Sequence, residues 1–275
     1  MTDPITDHYA TTGLLDRILT ALRTAGKDLD RLTINDLGPI DEFHSRRRQA
    51  TEELARMLAP TASDHVIDIG SGIGGPARYL ATTYGCQVSG IDLTEDFVAT
   101  ATALTRMVGL SDRVAFQVGS ALALPFPDAS FNLAWTQNVA MNIADRAGWY
   151  REIRRVLRPG GRLAIQDVAQ GPGGELTFPV MWAARAEISF LHTPEETRTL
   201  LEEAGFQVLA WVDNTEAALA EAAAERARMA LHPAPPPVLG IHVVVGPSFR
   251  EKARNGSRGQ EEGRTRLING LLMRP

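Results

Sequence analysis

The sequence predicts an α/β protein whose core is a doubly wound, mostly parallel sheet with helices on both faces. Two observations carry this prediction. From Asp64 onward, short apolar runs alternate with segments of helical periodicity, which is the pattern of a parallel sheet covered by helices. A glycine-rich turn, Gly70–Gly75, separates the first strand of this region from its first helix, as in folds that bind ligands at the carboxyl ends of their strands.

The strands are expected from short apolar, β-branched runs that are bounded by turn signals. They are His65–Ile69, Gln87–Asp92, Val114–Val118, Phe131–Thr136, Arg162–Val168, Phe206–Val212 and a last one within Arg264–Arg274. The RPGG segment, Arg158–Gly161, is expected to turn the chain into the fifth of these strands.

The helices are expected from apolar residues at helical spacing and from their end signals. They are Gly13–Ala25, Arg48–Leu58, Gly75–Thr83, Thr94–Val108, Asp145–Leu157, Thr215–Leu231 and one that opens at Thr193. In the last of these, Thr193 and Glu196 have capping-box spacing and Pro194 takes the first helical position. Residues 32–45 and 232–240 are interpreted as linkers, and the chain from there to Gly263 is a polar stretch without a regular pattern.

Length and charge limit the classes of protein. The 275 residues are 44% hydrophobic with a net charge of -5, which argues against nucleic acid as a partner because phosphate binding needs a basic surface. The single Cys86 excludes an internal disulfide, and the histidines lack ligand spacing, so no metal is expected. With no apolar stretch of membrane length and no signal-peptide pattern, we expect a cytoplasmic protein without membrane association. The oligomeric state, a homodimer included, is left open.

The segment VIDIGSGIGGPARYL indicates that a ligand approaches the backbone closely. Gly70, Gly72 and Gly75 match the spacing G-x-G-x-x-G, which also describes dinucleotide binders. Asp68 lies two residues before the first glycine, where a carboxylate can bind an ammonium group but would repel a pyrophosphate. Asp92, at the end of the second strand, suits ribose hydroxyls in either class of cofactor. The two acids favour an ammonium-bearing nucleoside over a dinucleotide.

Four segments in this order, VIDIGSGIGGPARYL, VSGIDLT, VGSALALPFPDASFNLAW and EIRRVLRPGGRLAIQDV, closely resemble the class I S-adenosylmethionine-dependent methyltransferases. Within that superfamily the chain resembles the branch of ubiquinone/menaquinone-type, tocopherol and glycine/sarcosine methyltransferases. The resemblance is strong over Asp64–Val168 and weaker to about Val212. It implies a seven-stranded, Rossmann-like methyltransferase fold with helical cap and lid insertions, and S-adenosyl-L-methionine as cofactor. We expect an N-terminal helical cap over residues 1–47 and a core over 48–275, with lid segments at 170–193 and 214–263.

The same resemblance implies a set of cofactor-binding residues. They are Asp68, Gly70, Gly72 and Gly74 around the methionine part, Asp92 on the ribose hydroxyls, Leu93, Ser120 and Ala121 beside the adenine, and Gln137 under the methionine part. The family usually has an acid where this chain has Ser120, and a hydroxyl bonds the adenine amino group more weakly than a carboxylate does. Gly74 and Gly75 have a second interpretation, which is close packing of the helix against a strand.

The substrate side is expected in three segments. The residues after the fourth strand should lie at the ligand edge of the sheet, which makes Asn138, Met141 and Asn142 candidates, although Asn142 can equally cap the next turn. Trp182 lies where the superfamily builds its substrate cover. The segment DEFHSRRRQAT resembles the stretch before the core in the same branch and makes His44 the candidate catalytic base. Arg46–Arg48 are most simply a solvated helix end, although one of them could bind a substrate carboxylate. His8 and Tyr9 are a candidate lid over the cofactor.

These residues predict an S-adenosylmethionine-dependent methyltransferase for a small metabolite, with an amine or amino-acid-like compound as the preferred acceptor. Methyl transfer needs mainly alignment and exclusion of water, so a dedicated catalytic motif is not required. The alternatives are C- or O-methylation of a quinone, isoprenoid or natural product, an NAD-dependent Rossmann oxidoreductase, and a non-catalytic binder of the cofactor. Asp68 and the later motifs argue against the oxidoreductase, and Ser120 is the main support for the non-catalytic alternative.

Overall fold

The strands form a single mixed sheet in the computed structural model, which describes residues 4–9, 12–232 and 237–275. They are β1 (His65–Ile69), β2 (Gln87–Asp92), β3 (Val114–Val118), β4 (Phe131–Gln137), β5 (Leu157–Gln170), β6 (Gln207–Asp213) and β7 (Thr265–Met273). Their order in space is β3-β2-β1-β4-β5-β7-β6. Strands β1 to β5 pair in parallel, whereas β7 runs antiparallel to β5 and β6. The predicted α/β class and seven-stranded sheet are confirmed, and β7 makes the sheet mixed.

The described helices connect these strands and extend the chain at both ends of the sheet. They are α1 (Pro4–Tyr9), α2 (Leu14–Thr24), α3 (Ile34–Asp41), α4 (Arg47–Leu58), α5 (Gly75–Tyr84), α6 (Glu95–Met107), α7 (Arg146–Val156), α8 (Pro194–Glu203), α9 (Thr215–Leu231), α10 (Ile241–Val245) and α11 (Phe249–Glu261). None of the helices in the described ranges is long and apolar enough to cross a membrane.

Two apolar layers cover the faces of the sheet. On one face, Leu54 and Leu58 of α4 pack together with Leu80 of α5 against the strands. On the other face, Trp149 and Ile153 of α7 pack against the same strands. All five side chains are fully buried. The strand order reverses between β1 and β4, so a crevice opens at the carboxyl ends of these two strands, where doubly wound folds bind ligands.

Residues 34–41, expected as part of a linker, form α3. The Thr33 hydroxyl accepts the N–H of Asp36 at 3.4 Å, and the Asp36 carboxylate accepts the N–H of Thr33 at 3.0 Å. Leu37 and Ile40 of this helix are fully buried. A capping box and a short apolar stripe therefore stabilise a helix despite the Gly-Pro dipeptide inside it.

The polar stretch before Gly263 is also helical, as α10 and α11. In α11 the buried residues are Lys252, Asn255 and Gly259, which share one face at helical spacing. The Asn255 Nδ2 donates to the carbonyl of Pro179 at 2.9 Å. Because polar residues form the inward face, the apolar periodicity that identifies a helix in the sequence is missing.

Other local expectations have mixed outcomes. The capping box of Thr193 and Glu196 forms at the start of α8 and confirms that prediction. Arg158–Gly161 lie inside β5 instead of turning the chain into it, at an irregularity in the pairing of β4 with β5. The predicted linker 232–240 falls partly on residues 233–236, which lie outside the described residues. The expected division into a cap, a core and two lid segments stays a prediction.

Candidate active site

A cavity of about 440 Å³ opens at the carboxyl ends of β1, β2 and β4, a size within the range of about 300–1,000 Å³ that is usual for ligand pockets. Three parts of the chain line it. The loops after the strands form one side, the segment from Pro4 to His44 contributes a second wall, and residues between Met181 and Phe190 form a third. The cavity lies at the switch point of the sheet, where the sequence places the ligand edge.

The glycine-rich turn lies against the cavity with its backbone exposed to it. Gly70 has a φ of 73°, and a Cβ atom at this position would lie 2.3 Å from Cγ2 of Val139. Gly72 has a φ of 53° and no atom within 4 Å of an added Cβ. The N–H groups of Gly70 and Ser71 donate to the carbonyl of Ile91 at 2.8 and 3.0 Å, which fixes the turn against β2. Glycine is required here by backbone conformation and by close approach.

Asp68 supplies an unpaired acceptor inside the cavity. The residue is 2% exposed, and its Oδ2 is buried without a hydrogen-bond partner among the described residues. Burial, and then the charge of Asp92, raise the pKa of Asp68 to about 8. A buried carboxyl group without a partner gains most from a cationic ligand. Asp68 is therefore fit to receive an ammonium group.

Asp92 connects the glycine turn to the start of α6. Its Oδ2 accepts the N–H of Gly72 at 2.8 Å, and its Oδ1 accepts the N–H of Thr94 at 2.9 Å. Burial raises the pKa of Asp92 although these bonds oppose the shift. The Thr94 hydroxyl and the Leu93 N–H also bond to this carboxylate and lower its pKa. The residue lines the cavity, where its oxygens can accept hydrogen bonds from hydroxyl groups as well.

The predicted adenine end is a shallow apolar surface. Leu93, Ser120 and Ala121 all line the cavity, and the Leu93 side chain has 38% of its surface exposed, which leaves it free to pack on a ring. The Ser120 Oγ accepts the N–H of Leu122 at 3.2 Å, so part of its bonding capacity maintains the local turn. Leu122 also lines the cavity, a contribution that the sequence analysis missed.

Gly74 is the predicted cofactor residue that the structure does not bring to the cavity. A Cβ at Gly74 would lie 2.4 Å from the Phe116 ring and 2.9 Å from the Arg78 guanidinium. A Cβ at Gly75 would lie 2.2 Å from the carbonyl of Asp41. Both glycines face protein atoms, so the alternative interpretation of close packing describes them better than ligand contact does.

His44 lines the cavity in the connection between α3 and α4, where it forms a pair with Glu42. Its Nε2 lies 2.8 Å from Oε2 of Glu42, which also accepts the hydroxyl of Thr51 at 2.9 Å. Arg48 forms an ion pair with Oε1 of Glu42 at 2.7 Å. Burial raises the pKa of Glu42, but the bond from His44 and the charges of His44 and Arg48 outweigh it and lower the pKa overall. Glu42 is therefore an ionised partner for the imidazole.

Gln137 lies beneath His44 in a buried network of side-chain amides. The Trp135 Nε1 donates to Oε1 of Gln137 at 3.1 Å, and Nε2 of Gln137 donates to Oε1 of Gln166 at 2.6 Å. The same Nε2 lies 3.5 Å from Nδ1 of His44. The network fixes the orientation of the amide that lines the floor of the cavity.

Hydrogen bonds to Asp167 of β5 hold the turn after β4 in place. The Asp167 Oδ1 accepts the N–H groups of Val139 and Ala140 at 3.2 and 3.1 Å. Asn138, just before them, has a left-handed φ of 53° and lines the cavity. Its Oδ1 is buried without a partner in the described part of the chain. The turn thus places Asn138 at the cavity wall, with an unpaired amide oxygen and a backbone conformation that few side chains adopt.

Asn142 joins the three walls of the cavity. Its Oδ1 accepts the Tyr9 hydroxyl at 2.9 Å, and its Nδ2 donates to the carbonyls of Trp182 at 2.8 Å and Ile188 at 3.2 Å. Met141 and Trp182 line the cavity beside it, as expected of substrate-side residues, and Trp182 Nε1 donates to Ser189 Oγ at 2.9 Å. The amide of Asn142 is therefore committed to holding the cavity wall.

The sequence analysis missed Glu42, Tyr9 as the partner of Asn142, and Phe43 in the wall. An acid two positions before His44 is the local signal that could have identified Glu42. Arg46 and Arg48 are not the solvated helix end that was expected, because Arg46 bonds to Glu53 and Glu221, and Arg48 to Glu42. Neither arginine lines the cavity. In the described ranges, no group of three metal-ligating side chains occurs.

The fold and the site are those of a protein that binds a nucleoside cofactor, with one acid near the end of β1, just before the glycine-rich turn, and a second acid at the end of β2. Comparison with known proteins agrees. Residues 67–165 match the family model described as a methyltransferase domain. The chain belongs to the class I S-adenosylmethionine-dependent methyltransferases, in the branch with tocopherol and sarcosine methyltransferases.

Three curated relatives illustrate the range of the branch. Over 184 residues the chain is 34% identical to methyltransferase GfsG of Streptomyces halstedii, covering 66% of each protein. It is 42% identical over 117 residues to the 27-O-demethylrifamycin SV methyltransferase of Amycolatopsis mediterranei, covering 42% of this chain and 43% of that protein. It is 30% identical over 184 residues to the sarcosine/dimethylglycine N-methyltransferase of Halorhodospira halochloris, covering 66% and 64%. The alignments thus span between 43% and 66% of the length of these relatives, which is less than two thirds of each.

A solved structure shows the same fold. Phosphoethanolamine N-methyltransferase 2 of Haemonchus contortus, in complex with S-adenosyl-L-methionine, superposes with a TM-score of 0.68 at 19% identity over all of this chain and 60% of that one. S-adenosylmethionine is the cofactor of the family, and the residues present fit it. The orphan oxygen of Asp68 suits its ammonium group, the Asp92 carboxylate at the cavity suits its ribose hydroxyls, and the exposed Leu93 suits its adenine.

Proposed function

We propose that this protein transfers a methyl group from S-adenosylmethionine to an oxygen or nitrogen atom of a small molecule, with His44 as the base. The observation that carries the proposal is the His44–Glu42 pair, which opens on the same cavity as Asp68 and Asp92. The relatives are named for different acceptors, a rifamycin and sarcosine among them, so the acceptor has to be argued from this cavity.

His44 is oriented to receive a proton. With Nε2–H donating to Glu42, Nδ1 is the ring atom that can accept a proton. The imidazolium that forms is stabilised by the ionised Glu42 and by the Ser45 carbonyl, which lies 3.3 Å from Nδ1. A base placed in this way contributes about 10²–10⁴-fold to rate. When bound, S-adenosylmethionine supplies a methyl group that leaves its sulfonium sulfur for the acceptor atom. The walls that meet at Asn142 hold the acceptor in line and exclude water.

A hydroxyl group is the acceptor that this arrangement favours. A hydroxyl must lose its proton as it attacks, so it depends on a base, whereas a neutral amine already presents a lone pair. An amine, the acceptor preferred from the sequence, is the second candidate. It is favoured by the acidic character of the cavity, in which Asp68, Asp92 and Glu187 all take part.

The first test is the cofactor. We expect S-adenosylhomocysteine, and not NAD, to raise the temperature of thermal unfolding, because a ligand that binds only the native state stabilises it. A rise with NAD alone would instead support the oxidoreductase.

The second test is turnover. Protein incubated with methyl-labelled S-adenosylmethionine and a metabolite extract should place the label on a small molecule that mass spectrometry can identify, and the His44→Ala variant is the matched control. Binding of S-adenosylhomocysteine without labelling of any molecule would favour the non-catalytic alternative.

A further inference from the structure

We propose that the acceptor is an uncharged, largely apolar molecule whose hydroxyl group donates a hydrogen bond to Asn138, and that molecules bearing a carboxylate or phosphate are rejected. This inference rests on the proposed methyl transfer and adds to it the charge class of the acceptor and a specificity role for Asn138. The proposal stands on three features of the cavity: its apolar wall, its charges and one orphan acceptor.

Beyond the two cofactor acids, the wall of the cavity is mostly apolar. It includes Ile5, Phe43, Met141, Met181, Trp182 and Phe190, which come from three separate segments of the chain. Such a wall binds a ligand by removing apolar surface from water, and it offers nothing to a strongly hydrated group. The acceptor therefore has to bury mostly carbon.

No lysine or arginine lines the cavity. None occurs in residues 1–3, 10–11 and 233–236 either, which are the residues outside the described ranges. Three neighbouring arginines are engaged elsewhere. Arg48 pairs with Glu42 at 2.7 Å, Arg78 with Asp41 at 2.5 Å, and Arg146 donates to the Phe190 carbonyl at 3.1 Å.

The fixed charges of the cavity are negative. S-adenosylmethionine carries two cationic groups and one carboxylate, so Asp68 and Asp92 in their ionised forms leave the loaded site with a net negative charge. An anionic acceptor would lose its hydration, find no cationic side chain and meet this negative potential. Each of these three effects disfavours carboxylates and phosphates, including acceptors of the amino-acid-like kind.

Asn138 supplies the polar contact that a neutral acceptor needs. Its Oδ1 is buried and unpaired, while its Nδ2 lies 3.5 Å from Oγ of Ser45, the residue next to His44. Its N–H donates to the carbonyl of Gln166 at 2.7 Å, which holds the left-handed backbone in place. A buried acceptor calls for a donor, and a hydroxyl group of the bound molecule supplies one. Because that hydroxyl carries a single proton, it donates to Asn138 while the molecule is bound and has to turn towards His44 before His44 takes the proton.

The charge proposal is tested by binding of matched neutral and anionic probes to protein loaded with S-adenosylhomocysteine. The pairs are methyl caffeate against caffeate and naphthol against naphthyl phosphate, measured by ligand-observed NMR and calorimetry. We expect each anionic probe to bind at least about tenfold more weakly than its neutral partner. Protein loaded with sinefungin, which has an amine in place of the sulfonium, should keep the same order.

Two variants of Met181 test whether an added cation improves the binding of the anionic probe. Met181 is partly exposed on the wall, and Met181→Lys places a cation there without emptying the core. Met181→Lys should reduce the difference in binding affinity between caffeate and its methyl ester, whereas Met181→Gln should leave that difference unchanged. Equal or tighter binding of the anions to the wild-type protein overturns the proposal, and so does failure of both neutral probes to bind. Loss of S-adenosylhomocysteine binding would instead remove the proposed function.

The role of Asn138 is tested separately with Asn138→Gly, because glycine adopts a φ of 53° without strain. In this variant the binding of naphthol should be weaker by about fivefold or more. The binding of methoxynaphthalene, which has no hydroxyl donor, should be unchanged. Asn138→Asp keeps an oxygen and the backbone conformation and should retain naphthol better than the glycine variant does. If Asn138→Gly weakens the binding of both probes equally, or of neither, the assignment of Asn138 is overturned.

Discussion

The two halves of the cavity are built in different ways. The cofactor half comes from β1, β2 and the turns that follow them, and its acids Asp68 and Asp92 lie within 25 positions of each other. The substrate half brings together residues as far apart as Tyr9, Asn142 and Trp182, held by hydrogen bonds over 133 and 40 positions. Two acids mark the first half, and an apolar wall makes up most of the second.

The two halves also differ in how far their sequences can vary. The glycine turn needs specific backbone conformations and a close approach, so few sequences satisfy it. The apolar wall needs only residues of suitable volume on segments that pack together. A methyltransferase of this branch can therefore keep its cofactor and change its acceptor, as the varied names of the relatives illustrate.

The largest effect is expected for a substitution of His44, which should lower the rate of methyl transfer and leave cofactor binding almost unchanged. His44→Ala should lower kcat by about 10²–10⁴-fold because the base is lost. The Kd for S-adenosylhomocysteine should stay within about twofold, since none of the expected cofactor contacts changes. Single-turnover methyl transfer and calorimetry measure the two quantities on an acceptor found in the turnover screen.

Two controls distinguish a lost base from a lost packing residue. His192→Ala removes a histidine that does not line the cavity and should leave kcat unchanged. Added imidazole should restore part of the activity of the alanine variant at His44, because a free base can enter the space left behind. An alanine variant with undiminished kcat would remove His44 from the mechanism.

The next effect in size belongs to the cofactor half. Asp92→Ala should weaken binding of S-adenosylhomocysteine about ten- to a hundredfold, on the order of 1.4–2.8 kcal/mol, because two charge-assisted contacts to the ribose are lost. Asp92→Asn keeps an acceptor oxygen, so its affinity for S-adenosylhomocysteine should lie between that of Asp92→Ala and that of the wild type. Calorimetric titration gives both values.

Asp96→Ala is the matched control, because Asp96 is an exposed acid in the first turn of α6 and does not line the cavity. It should bind S-adenosylhomocysteine as the wild type does. An unchanged Kd for Asp92→Ala would place the ribose elsewhere and would break the distinction between the two halves.

The same distinction explains what the sequence predicts well. Asp68, Asp92 and the glycines are recognised because their function depends on positions close together along the chain. Glu42 and His44 are also close together along the chain, but Glu42 carries no family signal, and its pairing with His44 was not predicted. The bond from Tyr9 to Asn142 depends on how two distant segments pack, which no periodicity records. Helix α11 was missed for another reason, since Lys252 and Asn255 on its inward face hide the apolar stripe.

The smallest predicted effect is a pH dependence of cofactor binding that comes from Asp68. Its pKa of about 8 means that the free protein holds a proton there at pH 7, whereas an ammonium group binds the ionised form. Binding therefore releases a proton. The affinity for S-adenosylhomocysteine should rise about fivefold between pH 7 and pH 8, in proportion to the ionised fraction of this carboxyl group.

The sign of this effect also applies to stability. A carboxyl group whose pKa is raised by folding makes the free protein less stable as the pH rises from the ordinary pKa of an aspartate towards 8, because the unfolded chain gives up the proton first. Stabilisation by S-adenosylhomocysteine should increase over the same range. Asp68→Asn cannot titrate, so its weaker binding should be flat between pH 7 and pH 8. A flat profile in the wild-type protein would mean either that Asp68 is already ionised at pH 7 or that another group receives the ammonium.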